Sequence, residues 1–128
     1  MLFAACSLLS LLVLARTLEP ATAGVGTHTQ LGLPPCFSVA VYGSRCPACG
    51  MTTAWSLMSR GRWDEAMQAN LGGSLLAIIA LAYLPPTCYF SFLGRTSHRG
   101  WLSLSLAIAL SIALALAIAQ WAVRIWLE

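Results

Sequence analysis

Two long apolar runs without a charged residue, at 71–93 and 101–123, constrain this chain more than any other feature. A helix of about 20 residues crosses the hydrocarbon core of a bilayer, and both runs are longer than that. Only 9% of the residues are charged and 59% are hydrophobic, whereas about a quarter of an ordinary soluble domain is charged. The sequence therefore predicts an all-α integral membrane protein with transmembrane helices over 71–93 and 101–127.

The N-terminal segment, residues 1–18, leaves two alternatives open. Its apolar run over 2–15 ends at Arg16, which is short for a transmembrane helix unless the arginine extends toward the interface. Small residues at 21–23 follow, as they do at the cleavage site of a secretory signal, although no basic residue precedes the run. The segment is predicted to be either a first transmembrane helix or a cleaved, signal-like peptide, so the chain has two or three spans.

The pattern changes twice between this segment and the first long run. Residues 19–49 contain several prolines and glycines, which interrupt any helical period, and are predicted to form an irregular loop. Over 50–70, apolar residues return at helical spacing and Gly61 separates two short helices. These residues are predicted to form a helical hairpin whose apolar face lies at the membrane interface or against the chain's own long helices.

Two features of the long runs concern their geometry and packing. Pro85 and Pro86 lack the backbone donor that a helix interior needs, so they are predicted to kink or end the helix over 71–93. In the last run, small residues recur at every fourth position and predict a stripe that a second copy or a partner helix can approach closely. The small-residue stripe consists of Ser103, Ala107, Ser111, Ala115 and Ala119.

The stretch R-C-P-A-C-G-M-T-T at 45–53 is the candidate for chemistry. Its C-x-x-C spacing allows Cys46 and Cys49 to place two thiolates on one metal ion. Pro47 restricts the backbone of the turn, and Gly50 is able to adopt the positive φ that turns backbone N–H groups toward sulfur. The sequence therefore indicates two of the ligands that a metal site needs.

A tetrahedral zinc ion needs two further ligands, and Cys36 and His28 are the well-placed candidates in the same loop. A zinc site of Cys36, Cys46, Cys49 and His28 is one hypothesis. In a second, Cys46 and Cys49 form a redox pair: Cys49 stands at the start of a predicted helix, which lowers a thiol pKa, and Cys36 acts as the resolving thiol. In a third, the cysteines only hold the loop, through a Cys36–Cys46 or Cys36–Cys49 disulfide.

Other classes of function find little support in the chain. All seven basic residues are arginines, and they are scattered along the sequence, so no nucleic-acid partner is expected. Asp64 and Glu65 are adjacent and do not face each other on a helix, which makes them first-turn carboxylates rather than an acid–base pair. The sequence therefore favours a protein that is not an enzyme, with the redox pair as the alternative.

The order of these motifs resembles the domain-of-unknown-function family DUF2752, a family of small bacterial membrane proteins. The resemblance rests on P-P-C at 34–36, Y-G-S-R-C-P-A-C-G-M-T-T-A at 42–54, Gly61 and A-M-Q-A-N at 66–70, and it extends over about residues 20–93. It implies a multi-pass protein of a bacterial cytoplasmic (inner) membrane. It implies no biochemical activity, because none is established for the family.

Two positions depart from the pattern of the family. Thr53 stands where the family usually has arginine, and Leu71 stands where it usually has proline. The positions that match the family's signature are Cys36, Cys46, Pro47, Cys49, Gly50, Thr52, Ala54, Gly61, Ala66 and Asn70.

The leading hypothesis is an accessory or scaffold protein embedded in the lipid bilayer, whose cysteine loop forms a structural or zinc-stabilised site at the membrane interface. The alternative is a membrane thiol–disulfide oxidoreductase that uses Cys46 and Cys49.

Overall fold

The computed structural model describes residues 2–93 and 99–127, and throughout these ranges the chain forms helices and loops without a strand. The prediction of an all-α fold is thereby confirmed. The elements in chain order are α1 (Leu2–Thr17), a 3-10 helix (Thr27–Leu31), α2 (Phe37–Tyr42), α3 (Met51–Met58), α4 (Trp63–Ala69), α5 (Leu71–Leu93) and α6 (Arg99–Leu127).

Two of these helices are long and apolar enough to cross a membrane. The qualifying stretches are Leu71–Phe90 in α5 and Ser103–Leu127 in α6, whereas the apolar part of α1, Cys6–Thr17, is shorter. Length and composition support a membrane location. The number of spans remains a prediction.

The segment predicted to be irregular contains two short helices, the 3-10 helix and α2. A glycine with positive φ bounds the 3-10 helix on each side, Gly26 at φ 93° and Gly32 at φ 75°. Each element is too short to leave a periodic pattern of apolar residues, which is the signal that a helix prediction needs.

Helix α5 continues through Pro85 and Pro86 to Leu93. Of the two predicted effects of these prolines, an end of the helix is therefore wrong, and a kink stays a prediction. Each proline removes a single backbone donor, and in an apolar surrounding the remaining backbone groups have no better partners than those within the helix.

Small residues bring the helices together at the N-terminal end of α5. A Cβ atom on Gly72 would lie 2.4 Å from the Ala113 carbonyl oxygen and 2.6 Å from the Ala117 Cβ, so only glycine permits this approach of α6. Helices α3 and α4 pack against each other and against α5 around a core of small and medium residues. The core cluster consists of Ala54, Leu57, Met58, Ala66, Ala69 and Ala77.

The predicted small-residue stripe on α6 is exposed along its whole length. Ala113 and Ala117, which face α5, lie two positions away from members of the stripe, and two positions on a helix correspond to a rotation of about 200°. The stripe therefore points away from α5, and its use by a partner helix remains a prediction.

Candidate metal-binding site

Three cysteines from two separate segments converge at one point. The Sγ atoms of Cys36, Cys46 and Cys49 all lie within 4.8 Å of one another. Cys46 Sγ is 3.4 Å from Cys36 Sγ and 3.0 Å from Cys49 Sγ. All three are free thiols, as are Cys6 and Cys88, which lie on α1 and α5 away from this group. The structure thus brings together three of the four predicted ligands.

A tight turn positions Cys46 and Cys49. The Cys49 N–H donates to the Cys46 carbonyl at 3.0 Å, and the Cys46 N–H donates to Cys49 Sγ at 3.2 Å. Gly50 follows at φ 86°, and a Cβ there would lie 2.7 Å from the carbonyl oxygens of both Ala69 and Gly24. Position 50 therefore requires glycine for two reasons: its φ is positive, and the backbone at Ala69 and at Gly24 lies too close to admit a Cβ atom.

Cys36 approaches from the other side, at the N-cap of α2. None of the six residues of α2 is buried, and Phe37 and Tyr42 are 70% and 73% exposed. Among the described elements, α2 makes no packing contact with another helix. Cys36 thus links a weakly packed segment to the other two cysteines.

His28, the predicted fourth ligand, is not brought into the three-cysteine group. It lies on the 3-10 helix and lines the same cavity of about 290 Å³ as the three cysteines. Its neighbour Thr27 is fully buried, accepts a hydrogen bond from the Ala21 N–H at 3.0 Å and lies 2.8 Å from Thr53 Oγ1. This anchor fixes the short helix and places His28 on the cavity wall.

The acid–base properties of the thiols differ from the prediction made for Cys49. Burial raises the pKa of Cys49 to about 12, so the expectation of an activated thiol at a helix start is wrong for this residue. Helix α3 begins only at Met51, and the side chain of Cys49 is 8% exposed. Hydrogen bonds from the Cys49 and Cys46 thiols instead lower the pKa of Cys36 to about 7.

Asn70 holds the cysteine turn against α5. Its Nδ2 donates to the carbonyls of Pro47 at 2.9 Å and Cys49 at 3.1 Å. Its Oδ1 accepts a bond from the Gly73 N–H at 2.7 Å, which caps the first turn of α5. With 2% of its surface exposed, Asn70 is a buried link between the site and a long helix.

The C-terminal part of α6 supplies a second set of contacts, which the sequence analysis missed. Gln120 accepts from the Leu71 N–H at 2.6 Å and donates to the Met67 carbonyl at 3.0 Å. Trp121 Nε1 donates to the Arg45 carbonyl at 2.7 Å, and the Arg124 guanidinium donates to the last carbonyls of α4. The sequence signal is that Gln120 and Arg124 lie four residues apart in the otherwise apolar C-terminal part of α6.

The remaining signature positions have structural roles near the site. Thr52 lines the cavity, Ala54 and Ala66 are fully buried, and Gly61 has φ 76° after α3.

The two positions that depart from the family resemblance also have partners here. Thr53 shares a buried contact with Thr27. Leu71 donates the backbone N–H that a proline would lack.

The fold and the site define a class: an all-helical protein with two membrane-length helices and a three-thiol cluster seated beside a short helical hairpin. Residues 36–84 match the family described as Protein of unknown function (DUF2752). This match confirms the family resemblance over that segment. It begins at Cys36 and ends within α5, so it includes all three cysteines and Asn70. No curated protein and no solved structure gives a significant match.

Proposed function

We propose that this protein is an accessory or scaffold protein of the membrane whose Cys36, Cys46 and Cys49 bind a metal ion, with zinc as the best candidate. The observation that carries the proposal is the convergence of three Sγ atoms within 4.8 Å. Thiolates are preferred ligands of zinc, and structural zinc sites contribute folding free energy directly. The role of the ion is to join the segment that carries Cys36 to the helical hairpin.

The weak anchoring of α2 supports this role. Because none of its residues is buried, the packing of α2 contributes little to holding it in place. A metal ion shared by Cys36 and the Cys46–Cys49 turn provides a strong bond at the start of α2. The exposed Phe37 and Tyr42 of the anchored segment then remain available to the membrane interface or to a partner.

Metal analysis of the purified, reduced protein tests the proposal. Wild-type protein is expected to contain about one zinc ion per chain and Cys46→Ser none, since two thiolates are too few for a stable site. Cys88→Ser is the matched control, because it removes a thiol outside the group and should retain the metal. Reduced wild-type protein without bound metal would contradict the proposal.

A thiol–disulfide oxidoreductase is the second candidate, and the 3.0 Å distance between Cys46 Sγ and Cys49 Sγ favours it. Oxidation of this pair to a disulfide would release two electrons and two protons to an acceptor thiol–disulfide couple, with Cys36 3.4 Å from Cys46 as the resolving thiol. A redox titration discriminates the candidates. A reduction potential below about −300 mV would mark the pair as structural rather than catalytic.

The location and partners belong to the same proposal. We place the protein in a bacterial cytoplasmic membrane as a multi-pass protein, with the lipid bilayer around its long helices and the small-residue stripe of α6 available for self-association or a partner helix.

Labelling with a membrane-impermeant maleimide tests sidedness in chelator-treated intact cells, in a Cys6→Ser, Cys88→Ser background. Labelling before lysis places the cysteine loop outside, and labelling only after lysis places it in the cytoplasm. Loss of labelling in Cys36→Ser identifies the reactive thiol.

A further inference from the structure

Among the residues that the structure describes, the three-cysteine group has no fourth histidine, cysteine or carboxylate donor. Across residues 2–93 and 99–127, no other histidine, cysteine, aspartate or glutamate belongs to the group. Zinc in proteins is almost always four-coordinate; purely structural sites take all four ligands from the protein, and sites that act on a ligand keep one position open. A metal ion held by these thiolates would therefore have one coordination position not supplied by the group.

A cavity lies beside the same three sulfurs. It has a volume of about 290 Å³ and is bordered by all three cysteines together with Val25, Pro35 and Val39. This is close to the lower end of the range for small-molecule sites, which begins at about 300 Å³. A small ligand with a compact ring thus has room next to the metal position.

The net charge of the metal with its three thiolates determines whether an anionic or a neutral fourth ligand is favoured. Three thiolates around a divalent ion carry one net negative charge, and a fourth anionic donor would raise this to two. Among the described residues that line the cavity, His28 is the only ionisable side chain other than the cysteines. Without a facing cation, a second negative charge in a largely apolar cavity is costly, whereas a neutral donor adds none.

His28 borders the cavity without joining the group. The 3-10 helix that carries it is held by the fully buried Thr27, which contacts Thr53 and the Ala21 N–H. This anchoring leaves His28 beside the ligand position.

On these grounds we infer that the metal's fourth coordination position opens into the cavity and takes a small neutral nitrogen donor from solution, of the imidazole or amine class. The inference rests on the proposed metal function and goes beyond it, because it makes the site a ligand-binding centre. In this site Val39 limits the size of the ligand and His28 flanks it.

Cobalt substitution of the full-length protein in detergent tests the inference with separate readouts. The sulfur-to-cobalt charge-transfer band reports metal binding by the thiolates, and the visible d–d bands report the fourth ligand. Imidazole is expected to shift the d–d bands saturably while the charge-transfer intensity stays constant. Chloride and 2-mercaptoethanol at matched concentrations are expected to leave the bands unchanged.

Variants distinguish the cavity from His28. Val39→Trp, which fills the cavity, should abolish the imidazole response and retain the charge-transfer band. Val41→Trp, on the same short helix but outside the cavity lining, should respond as the wild type does. In the absence of imidazole, His28→Gln should keep the wild-type d–d bands, because His28 borders the cavity without joining the cysteine group.

Three results would overturn the inference while the metal site stands. These are wild-type d–d bands insensitive to imidazole, d–d bands altered by His28→Gln in the absence of imidazole, or saturation of the site by 2-mercaptoethanol. A missing charge-transfer band is a different failure, because it removes the metal site itself and the inference with it.

Discussion

The two ends of the α5–α6 pair are built in different ways. At the cysteine end, Asn70, Gln120 and Trp121 hydrogen-bond across segments that are far apart in the sequence. At the other end, the Tyr83 hydroxyl lies 2.7 Å from Ser105 Oγ, and neighbouring side chains such as Leu104, 59% exposed, face outward. One end is defined by polar contacts, and the other presents apolar surface to its surroundings.

This difference indicates where the fold is specified. In a bilayer, lipid chains cover apolar surface as well as a neighbouring helix does, so burial of leucine and isoleucine gives little preference for one arrangement of helices. Close approach at Gly72 and the hydrogen bonds at the cysteine end provide that preference instead. The cysteine end is therefore expected to be sensitive to substitution and the opposite end tolerant.

The largest expected effect is that of Gly50→Ala at the cysteine end. A positive φ costs a non-glycine residue about 1–2 kcal/mol, and forcing a methyl group against backbone at 2.7 Å adds about 1–3 kcal/mol. Thermal unfolding in detergent measures the loss. Gly32→Ala is the matched control, since Gly32 has φ +75° but no atom within 4 Å of its added Cβ; equal losses for the two variants would show that the site does not require close packing.

Asn70→Ala should have the next largest effect. It removes three hydrogen bonds and leaves a half-buried partner at Pro47 and buried partners at Cys49 and Gly73 unsatisfied, at a cost of about 1–3 kcal/mol in the free energy of unfolding. Metal retention during dialysis should fall as well, because the cysteine turn loses its support. Gln68→Ala, an exposed neighbour, is the control, and similar melting temperatures for the two variants would argue against Asn70 as a link.

The smallest effects are expected for two substitutions, one at each end of the α5–α6 pair, which allow the ends to be compared directly. Gln120→Ala removes two bonds at the cysteine end, one part-buried and one exposed, and should cost about 0.5–1.5 kcal/mol in total, most of it from the part-buried bond. Tyr83→Phe removes the hydroxyl contact at the opposite end and should cost about 0.6 kcal/mol, the average for such bonds between membrane helices. Only Gln120→Ala should reduce metal retention. If Tyr83→Phe destabilised the protein as much, the contrast between the two ends would not hold.

Much of the architecture is predictable from the sequence because its causes are local. Uncharged length predicts α5 and α6, and the C-x-x-C spacing with the nearby Cys36 predicts the grouping of three thiols. The raised pKa of Cys49 was not predictable, because it arises from burial beneath segments brought together only by folding. The contacts of Gln120 were missed for the same reason, since its two partners lie 49 and 53 residues away.

The adjacency of Asn70 and Leu71 has an evolutionary consequence. The Asn70 side chain supports the cysteine turn, and the Leu71 backbone N–H donates a hydrogen bond to Gln120 of α6. The contact to the cysteine turn and the contact to the last helix are therefore made by two residues that are adjacent in the sequence. Substitutions at Asn70 and at Gln120 should then show epistasis, in which the tolerance of each depends on the residue present at the other.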